Sequence, residues 1–210
     1  MINILIADDH PFIRHGLRKV LETAKDMLVL DEAASGSEVL DKLRGHSFDV
    51  IILDISMPGE SGLELIKTLR KEFPRLAVLV LSAYPEEQYA LRALKSGASG
   101  YLTKEAATAE LIGAIHKISS GGKYISASMA ESLAFAIESD SDKLPHEKLS
   151  NREYEVMLMI ASAKSVREIA EELCLSEKTI GTYRSRILEK MGLKNSSEIT
   201  YYAMKKGLIE

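Results

Sequence analysis

Two rhythms of apolar residues divide this chain. As far as about residue 120, short apolar runs alternate with stretches whose apolar positions recur every three or four residues. The runs at 2–7, 27–33, 48–53, 77–82 and 99–102 are rich in β-branched residues and predict buried strands. The stretches at 11–24, 37–44, 61–73, 86–96 and 106–119 predict helices. Five strand–helix units in series predict an α/β domain with a doubly wound, five-stranded parallel sheet. Gly121-Gly122 ends its last helix, and a short amphipathic stretch runs from Ala127 to Ile137. Ser139 to His146 lacks any period and reads as a mobile linker.

From Leu149 the pattern is helical only. Helices are expected from Asn151 to Ala161, from Val166 to Cys174 behind a Ser165 cap, from Ser176 to about Met191, and from Ser196 or Ser197 to Lys206. Gly192 and Gly207 serve as stops. The short turn Cys174-Leu175-Ser176 between two of these helices predicts an all-α helix-turn-helix domain. The expected organisation is a first domain over 1–121, a linker with a short helix over 122–148, and a second domain over 149–210.

Chemistry concentrates just beyond the predicted strands. Asp8 and Asp9 follow Ile2-Asn3-Ile4-Leu5-Ile6-Ala7, Asp54 follows Val50-Ile51-Ile52-Leu53, and Lys104 follows Gly100-Tyr101-Leu102-Thr103. In a parallel sheet the ligand crevice lies at the carboxyl ends of the strands, so three carboxylates and one amine gather at one rim. Close carboxylates repel and call for a cation, and oxygen donors favour Mg2+ or a similar hard ion. An aspartate beside Mg2+ and an ammonium is a candidate phosphoryl acceptor. Singly, each residue has a plainer reading. The acidic pair can be a turn or helix cap, Asp54 a turn opening, and Lys104 a solvated lysine. Their joint placement at three strand ends favours the site.

Composition adds little beyond compartment. The 210 residues, with 46% hydrophobic and 28% charged positions, suit soluble domains with their own cores. No apolar stretch approaches a membrane span, no signal peptide precedes Met1-Ile2-Asn3-Ile4, and Cys174 is the only cysteine. A cytoplasmic location is expected, with Cys174 as a small buried hydrophobe. Charge is uneven: residues 1–148 carry 17 Lys and Arg against 22 Asp and Glu, residues 149–210 carry 10 against 9. Lys178, Arg184, Arg186, Lys190 and Lys194 cluster within 177–194, which suits either a polyanion partner or a solvated helix face.

The blocks Ile6-Ala7-Asp8-Asp9-His10, Leu53-Asp54-Ile55-Ser56-Met57-Pro58-Gly59, Leu81-Ser82-Ala83 and Tyr101-Leu102-Thr103-Lys104 resemble the receiver domain of two-component response regulators. Leu149-Ser150-Asn151-Arg152-Glu153, Glu168-Ile169-Ala170-Glu171-Glu172-Leu173, Leu175-Ser176-Glu177-Lys178-Thr179-Ile180 and Lys190-Met191-Gly192-Leu193 resemble the LuxR-type DNA-binding domain. Nearly the whole chain thus resembles a NarL/FixJ-family response regulator. The resemblance implies that Asp54 accepts phosphate and that Asp9, Asp54 and the main-chain carbonyl of Ser56 bind Mg2+, with Asp8 acting through water. Lys104 and Ser82 would contact phosphoryl oxygens, and Ser82 with Tyr101 would form a switch pair. Glu105 stands where many receivers have proline, so the cis peptide often found there is not expected.

On the helix opened by Ser176, Lys178, Gly181, Thr182, Ser185 and Glu189 share one face, and Ile180, Tyr183, Ile187 and Met191 form a core stripe opposite. Thr182 and Ser185 are expected to read bases, with Thr179 beside them, while Lys178, Arg186 and Lys190 hold phosphates. The family commonly has lysine at the place of Gly181 and histidine at that of Tyr183. Glu153 is expected to tie helices together.

The resemblance implies a phosphorylation-activated transcription regulator, served by a sensor histidine kinase, binding double-stranded DNA and forming a homodimer when phosphorylated, with no membrane partner. It would catalyse only its own phosphotransfer and the hydrolysis that reverses it. A phosphorylation-independent regulator with the same fold is the alternative. A haloacid-dehalogenase-type phosphohydrolase would want a second aspartate where Ser56 stands, and a flavodoxin-like cofactor loop would want Ser, Thr or Gly in place of Asp8-Asp9-His10.

Overall fold

The structure, a computed structural model, describes residues 1–57, 61–126, 129, 130 and 144–209, in two compact units, Met1–Leu133 and Ala134–Glu210. The first unit alternates β1 (Ile2–Ala7), α1 (Pro11–Leu21), β2 (Met27–Ala33), α2 (Gly36–Gly45), β3 (Val50–Leu53), α3 (Gly62–Glu72), β4 (Ala77–Ser82), α4 (Glu86–Ser96), β5 (Gly100–Thr103) and α5 (Ala107–Ser119). All pairings are parallel, in the order β2-β1-β3-β4-β5. β3 and β4 are buried at every position, because helices cover both faces of the sheet. Ile4, Ile6, Ile52 and Leu79 pack with Leu17 and Leu21 of α1 and Leu111 and Ile115 of α5. Strand alternation turns Leu5, Ile51, Val78 and Val80 to the other face, on the side of the buried Val39, Leu63 and Ile66.

The order of the strands fixes where chemistry can sit. The chain passes from β1 outward to β2, then returns to β3 on the other side of β1. The crevice of a doubly wound sheet opens at such a reversal, beyond the carboxyl ends of β1 and β3. Asp8 and Asp54 leave those two ends, and the Asp54 N–H donates to Ala7 O at 2.8 Å. The loop after Asp54 folds tightly onto α3: a Cβ at Gly62 would lie 2.4 Å from the Ile55 Cα, so only glycine fits there.

Several elements are shorter than the pattern predicts, β3 and α1 among them. β3 begins at Val50, and Asp49 just before it is held to Asn3 by side chain and backbone together, its carboxylate accepting the Asn3 N–H at 2.7 Å and its own N–H donating to Asn3 O at 2.9 Å. α1 ends at Leu21, where the Thr23 hydroxyl donates to Val20 O at 2.7 Å and closes the helix locally. Residues 123–126, expected in the linker, instead strap the first unit. The Tyr124 N–H donates to Ser99 O at 2.9 Å, Lys123 Nζ donates to Ala98 O, and the Ser126 hydroxyl donates to Glu86. A Cβ at Gly100 would lie 2.9 Å from the Tyr124 Cβ, so glycine lets the strap lie against β5. The amphipathic stretch 127–137, apart from Met129 and Ala130, and residues 139–143 lie outside the described residues.

The second unit contains a 3-10 turn (Pro145–Lys148), α6 (Asn151–Ala161), α7 (Val166–Glu172), α8 (Glu177–Met191) and α9 (Ser196–Lys205). The turn stands where the sequence predicts aperiodic linker; His146 Nδ1 lies 2.7 Å from the Tyr202 hydroxyl and holds it to α9. Ser150, Ser165, Ser176 and Asn195 cap the four helices, each accepting the N–H three residues on. Each such cap stabilises its helix by roughly 1 kcal/mol. Gly192, at φ 67°, ends α8.

The expectation for Cys174 was wrong. It is exposed, lies beyond α7 and adopts φ 52°. The Cys174 N–H donates to Glu171 O and the Leu175 N–H to Ala170 O, the paired bonds of a left-handed helix terminus. Cysteine therefore occupies a position that usually belongs to glycine, and this conformation turns its side chain to solvent. Among the described residues, no helix is long and apolar enough to cross a membrane.

Candidate active site and nucleic-acid interface

The first unit brings Asp8, Asp9, Asp54, Ser56, Ser82, Tyr101 and Lys104 to one rim. Lys104 Nζ lies 2.6 Å from Asp54 Oδ2 and 2.7 Å from Asp8 Oδ2. Asp54 and Asp8 are buried, while Asp9 is about one-third exposed. Burial pushes the Asp54 carboxyl above its ordinary pKa, against the opposing pull of Lys104 and the Ser56 N–H, which donates to Asp54 Oδ1 at 2.8 Å. Burial also works against the Lys104 ammonium, but Asp54 and Asp8 outweigh it and hold its pKa above the usual value.

One ammonium cannot neutralise three carboxylates. Asp8 Oδ2 and Asp9 Oδ1 are buried without a well-formed hydrogen bond, although the Lys104 ammonium is near the first and the His10 imidazole near the second. Buried polar atoms left without hydrogen bonds are costly, so this pocket suits a divalent cation. The donor set of carboxylate oxygens fits a hard ion.

Ser82 and Tyr101 sit beside this cluster, both buried. The Ser82 hydroxyl accepts the Tyr84 N–H at 3.1 Å, and the Tyr101 hydroxyl donates to Tyr84 O at 2.8 Å. The strand-ending serine and the inward tyrosine thus meet at Tyr84, the residue just before the Pro85 cap of α4. Burial drives the Tyr101 phenol far above its ordinary pKa, so it stays a donor at all physiological pH. No cis peptide occurs among the described residues, as expected for Lys104–Glu105.

Two residues of this rim escaped the motif reading. His10 places Nδ1 2.9 Å from Asp9 Oδ1 and 3.3 Å from Asp8 Oδ1. Arg14 donates from Nη1 to Asp8 O at 2.7 Å and from Nε to Glu32 at 3.0 Å, clamping the acidic loop to β2. The signal for Arg14 was its place one turn into α1, on the helix that starts at the acidic pair.

In the second unit, α8 carries the expected nucleic-acid residues. Ile180, Ile187 and Met191 are buried and Tyr183 is half-buried, so the core stripe is as predicted. Lys178, Thr182, Ser185 and Arg186 are exposed, and Thr179 is half-buried beside its cap. The Thr182 hydroxyl donates to Lys178 O at 3.0 Å and the Ser185 hydroxyl to Gly181 O at 3.1 Å. Both hydroxyls therefore present free lone pairs outward. Lys190 Nζ, expected at phosphate, lies 2.6 Å from Glu153 Oε2. Glu153 also accepts the Ser150 N–H at 2.8 Å, so it joins α6 to α8 as the sequence suggested. Burial would raise its pKa, but Lys190 and Ser150 outweigh that and lower it. Arg184 Nε donates to the Ser196 hydroxyl at 2.8 Å and so ties α8 to the start of α9.

A parallel sheet with buried acids at its reversal point and a capped helix-turn-helix define a receiver joined to a DNA-binding module. Residues 4–116 match the response regulator receiver domain, and residues 147–203 match the bacterial regulatory proteins of the luxR family. The chain belongs to the NarL/FixJ family of response regulators: it is a two-component regulator of transcription that binds DNA under phosphorylation control. It is 36% identical over 209 residues to the response regulator UvrY of Escherichia coli K12, covering 99% of this chain and 96% of that one. It is 37% identical over 210 residues to the response regulator GacA of Pseudomonas protegens, covering 100% and 99%. Among solved structures, RcsB of Salmonella typhimurium matches with a TM-score of 0.71 at 29% identity, covering 98% of each chain. RcsB bound to the promoter rprA in the presence of phosphomimetic BeF3- matches with 0.68 at 28% identity, covering 97% and 99%.

Proposed function

We propose that Asp54 is the phosphoacceptor, and that its phosphorylation by a sensor histidine kinase controls DNA binding by α8 in the cytoplasm. The observation that carries this is the Asp54 carboxylate, buried at the sheet's reversal point with Lys104 2.6 Å away and two incompletely satisfied aspartates beside it. In the transfer, an Asp54 oxygen attacks phosphorus, an O–P bond forms, and the N–P bond of the phosphohistidine breaks with the electron pair leaving on nitrogen. Lys104 stays near the new phosphoryl group and offsets its charge. Asp9, Asp54 and the main-chain carbonyl of Ser56 would hold Mg2+, with Asp8 acting through water. When bound, the ion would supply further neutralisation of the transferring oxygens. Water later reverses the modification by cleaving the acyl phosphate. The chain thus catalyses its own modification and no other turnover.

The Ser82 hydroxyl, released from the Tyr84 N–H, would donate to a phosphoryl oxygen. Because Tyr101 holds the Tyr84 carbonyl, the rearrangement would pass to the start of α4. Phosphorylation would then favour a homodimer that places two α8 helices on paired half-sites, which raises affinity through effective concentration. Lys178, Arg186 and Lys190 would hold phosphates, while Thr179, Thr182 and Ser185 would face base edges.

The test is incubation with acetyl phosphate and Mg2+, followed by intact mass and DNA binding. One hydroxylamine-labile phosphate, lost in Asp54→Asn, is expected, with dimerisation and tighter DNA binding. Equal phosphate uptake by Asp54→Asn would overturn the assignment. Unchanged mass in solution and unchanged DNA affinity after phosphorylation would favour the phosphorylation-independent regulator.

A further inference from the structure

His10 carries more than the helix cap it occupies. It precedes α1, yet its side chain makes no capping hydrogen bond, and caps are usually Ser, Thr, Asp or Asn. Its backbone serves the turn, the N–H donating to Asp8 Oδ1 at 2.8 Å and the carbonyl accepting the N–H groups of Ile13 and Arg14, but none of this involves the ring. The imidazole is 66% exposed, so packing does not account for its position. It nevertheless turns Nδ1 toward the acidic pair, at 2.9 Å from Asp9 Oδ1 and 3.3 Å from Asp8 Oδ1.

Asp9, His10 and Asp54 are close enough to share one ion, with Asp8 in reach through water. One ligand atom from each of Asp8, Asp9, His10 and Asp54 lies within 4.8 Å of all the others. An octahedral ion with bonds of about 2.1 Å spans roughly 4.2 Å between opposite ligands. Shifts of a few tenths of an ångström would bring the set together. Asp8 Oδ2 and Asp9 Oδ1 are buried without a well-formed hydrogen bond, their near neighbours being the Lys104 ammonium at 2.7 Å and His10 Nδ1 at 2.9 Å, so the acidic loop has room for a further cation.

Donor type decides which cation gains. Carboxylate oxygens suit Mg2+ and Mn2+ alike, whereas the gain from an imidazole nitrogen starts with Mn2+, grows along the Irving–Williams series and is slight for Mg2+. We infer that His10 is a further metal ligand, making this receiver prefer divalent transition ions such as Mn2+ over Mg2+ by more than its carboxylates alone would. This rests on the reading of the acidic cluster as a divalent-metal site. Mg2+ is held by the carboxylates, and Mn2+ by the carboxylates together with the imidazole.

The test uses the full chain, titrated separately with Mn2+ and Mg2+, in wild-type, His10→Ala and Asp9→Asn forms. The free Mn2+ signal in electron paramagnetic resonance gives its affinity, and competition gives that of Mg2+. His10→Ala should lower Mn2+ affinity on the order of tenfold and Mg2+ affinity less than about twofold. The spin-echo spectrum of bound Mn2+ should show nitrogen modulation that disappears in His10→Ala, a signature no merely structural role would produce. The exposed side chain makes the variant's fold easy to verify by circular dichroism. Equal losses for the two ions, or nitrogen modulation unchanged by the substitution, would overturn the role of His10 and leave the metal site standing. Metal affinities unchanged in Asp9→Asn would overturn both.

Discussion

The receiver rim and the exposed face of α8 are both polar, yet they announce their partners in opposite ways. At the rim, charges are buried and incompletely paired: two carboxylate oxygens lack proper hydrogen bonds, and one lysine serves two aspartates. On α8, the hydroxyls of Thr182 and Ser185 are bonded within the helix, and Lys190 is paired with Glu153. The rim is unfinished without a ligand. The helix is finished without one. Burial makes the difference, because an unsatisfied group costs free energy only where water cannot reach it. A small, charged ligand therefore leaves a physical trace in the buried side chains built to hold it, whereas a large polyanion met at the surface leaves only a pattern.

The largest effect should come from the unfinished side. Asp9→Asn removes a charged donor from a set already short of partners, so Mg2+ affinity should fall by roughly 10- to 100-fold. Phosphorylation by acetyl phosphate should slow in proportion at low Mg2+. Isothermal titration with the metal checks this, and an unchanged affinity would place the ion elsewhere. Next comes the finished side. Glu153→Ala strips a capping-box partner and leaves Lys190 unpaired, so the second unit should lose about 2 kcal/mol in denaturant unfolding. Its carboxyl is held below the ordinary value, so its stabilisation is fully present above about pH 4.5 and is lost as pH falls through the lowered pKa. A variant as stable as wild type at neutral pH would make the α6–α8 tie dispensable.

What was legible in the sequence follows the same division. The five strands and the acids behind them were readable because buried parallel strands write continuous apolar runs, and Asp8, Asp54 and Lys104 stand where those runs stop. The caps at Ser165 and Ser176 were readable because capping is local. His10 and Arg14 were not assigned, since their roles depend on which carboxylate lies across the loop. The strap at 123–126 was missed because backbone bonds to Ser99 and side-chain bonds to Glu86 have no periodicity. Cys174 was misread because composition favours burial for cysteine, while the left-handed turn turned it outward.

A smaller effect tests whether the rim holds its charges at a cost. The Asp54 pKa is raised in the fold, so the folded state binds that proton more tightly than the unfolded chain. Stability therefore falls as pH rises from the ordinary carboxyl value through the raised one. Asp54→Asn lacks this loss and should have a higher Tm than wild type at pH 7, as at many sites that trade stability for function. The gain should vanish at acidic pH, where the wild-type carboxyl is protonated. A variant less stable than wild type at pH 7 would mean that the Lys104 bond outweighs burial.

The smallest effects belong to the DNA face, and Gly181 separates its possible causes. A Cβ there would meet nothing within 4 Å, so the fold itself has no use for glycine at this position. Gly181→Ala should therefore stabilise α8 by about 0.8–1 kcal/mol, the intrinsic cost of glycine within a helix. Lys178→Ala should weaken binding to every DNA sequence and lower the salt slope by about one unit, as expected for one lost phosphate contact. Gly181→Lys, on the same face, should do the reverse and raise the slope by about one unit. Slopes are read from DNA affinity at several salt concentrations, with the chain phosphorylated throughout. If Lys178→Ala changes sequence preference and leaves the slope intact, Lys178 reads a base. If Gly181→Lys leaves the slope unchanged, position 181 faces no phosphate. A loss of affinity in Gly181→Ala, despite its gain in stability, would then mean that the missing side chain lets the helix backbone approach the DNA closely.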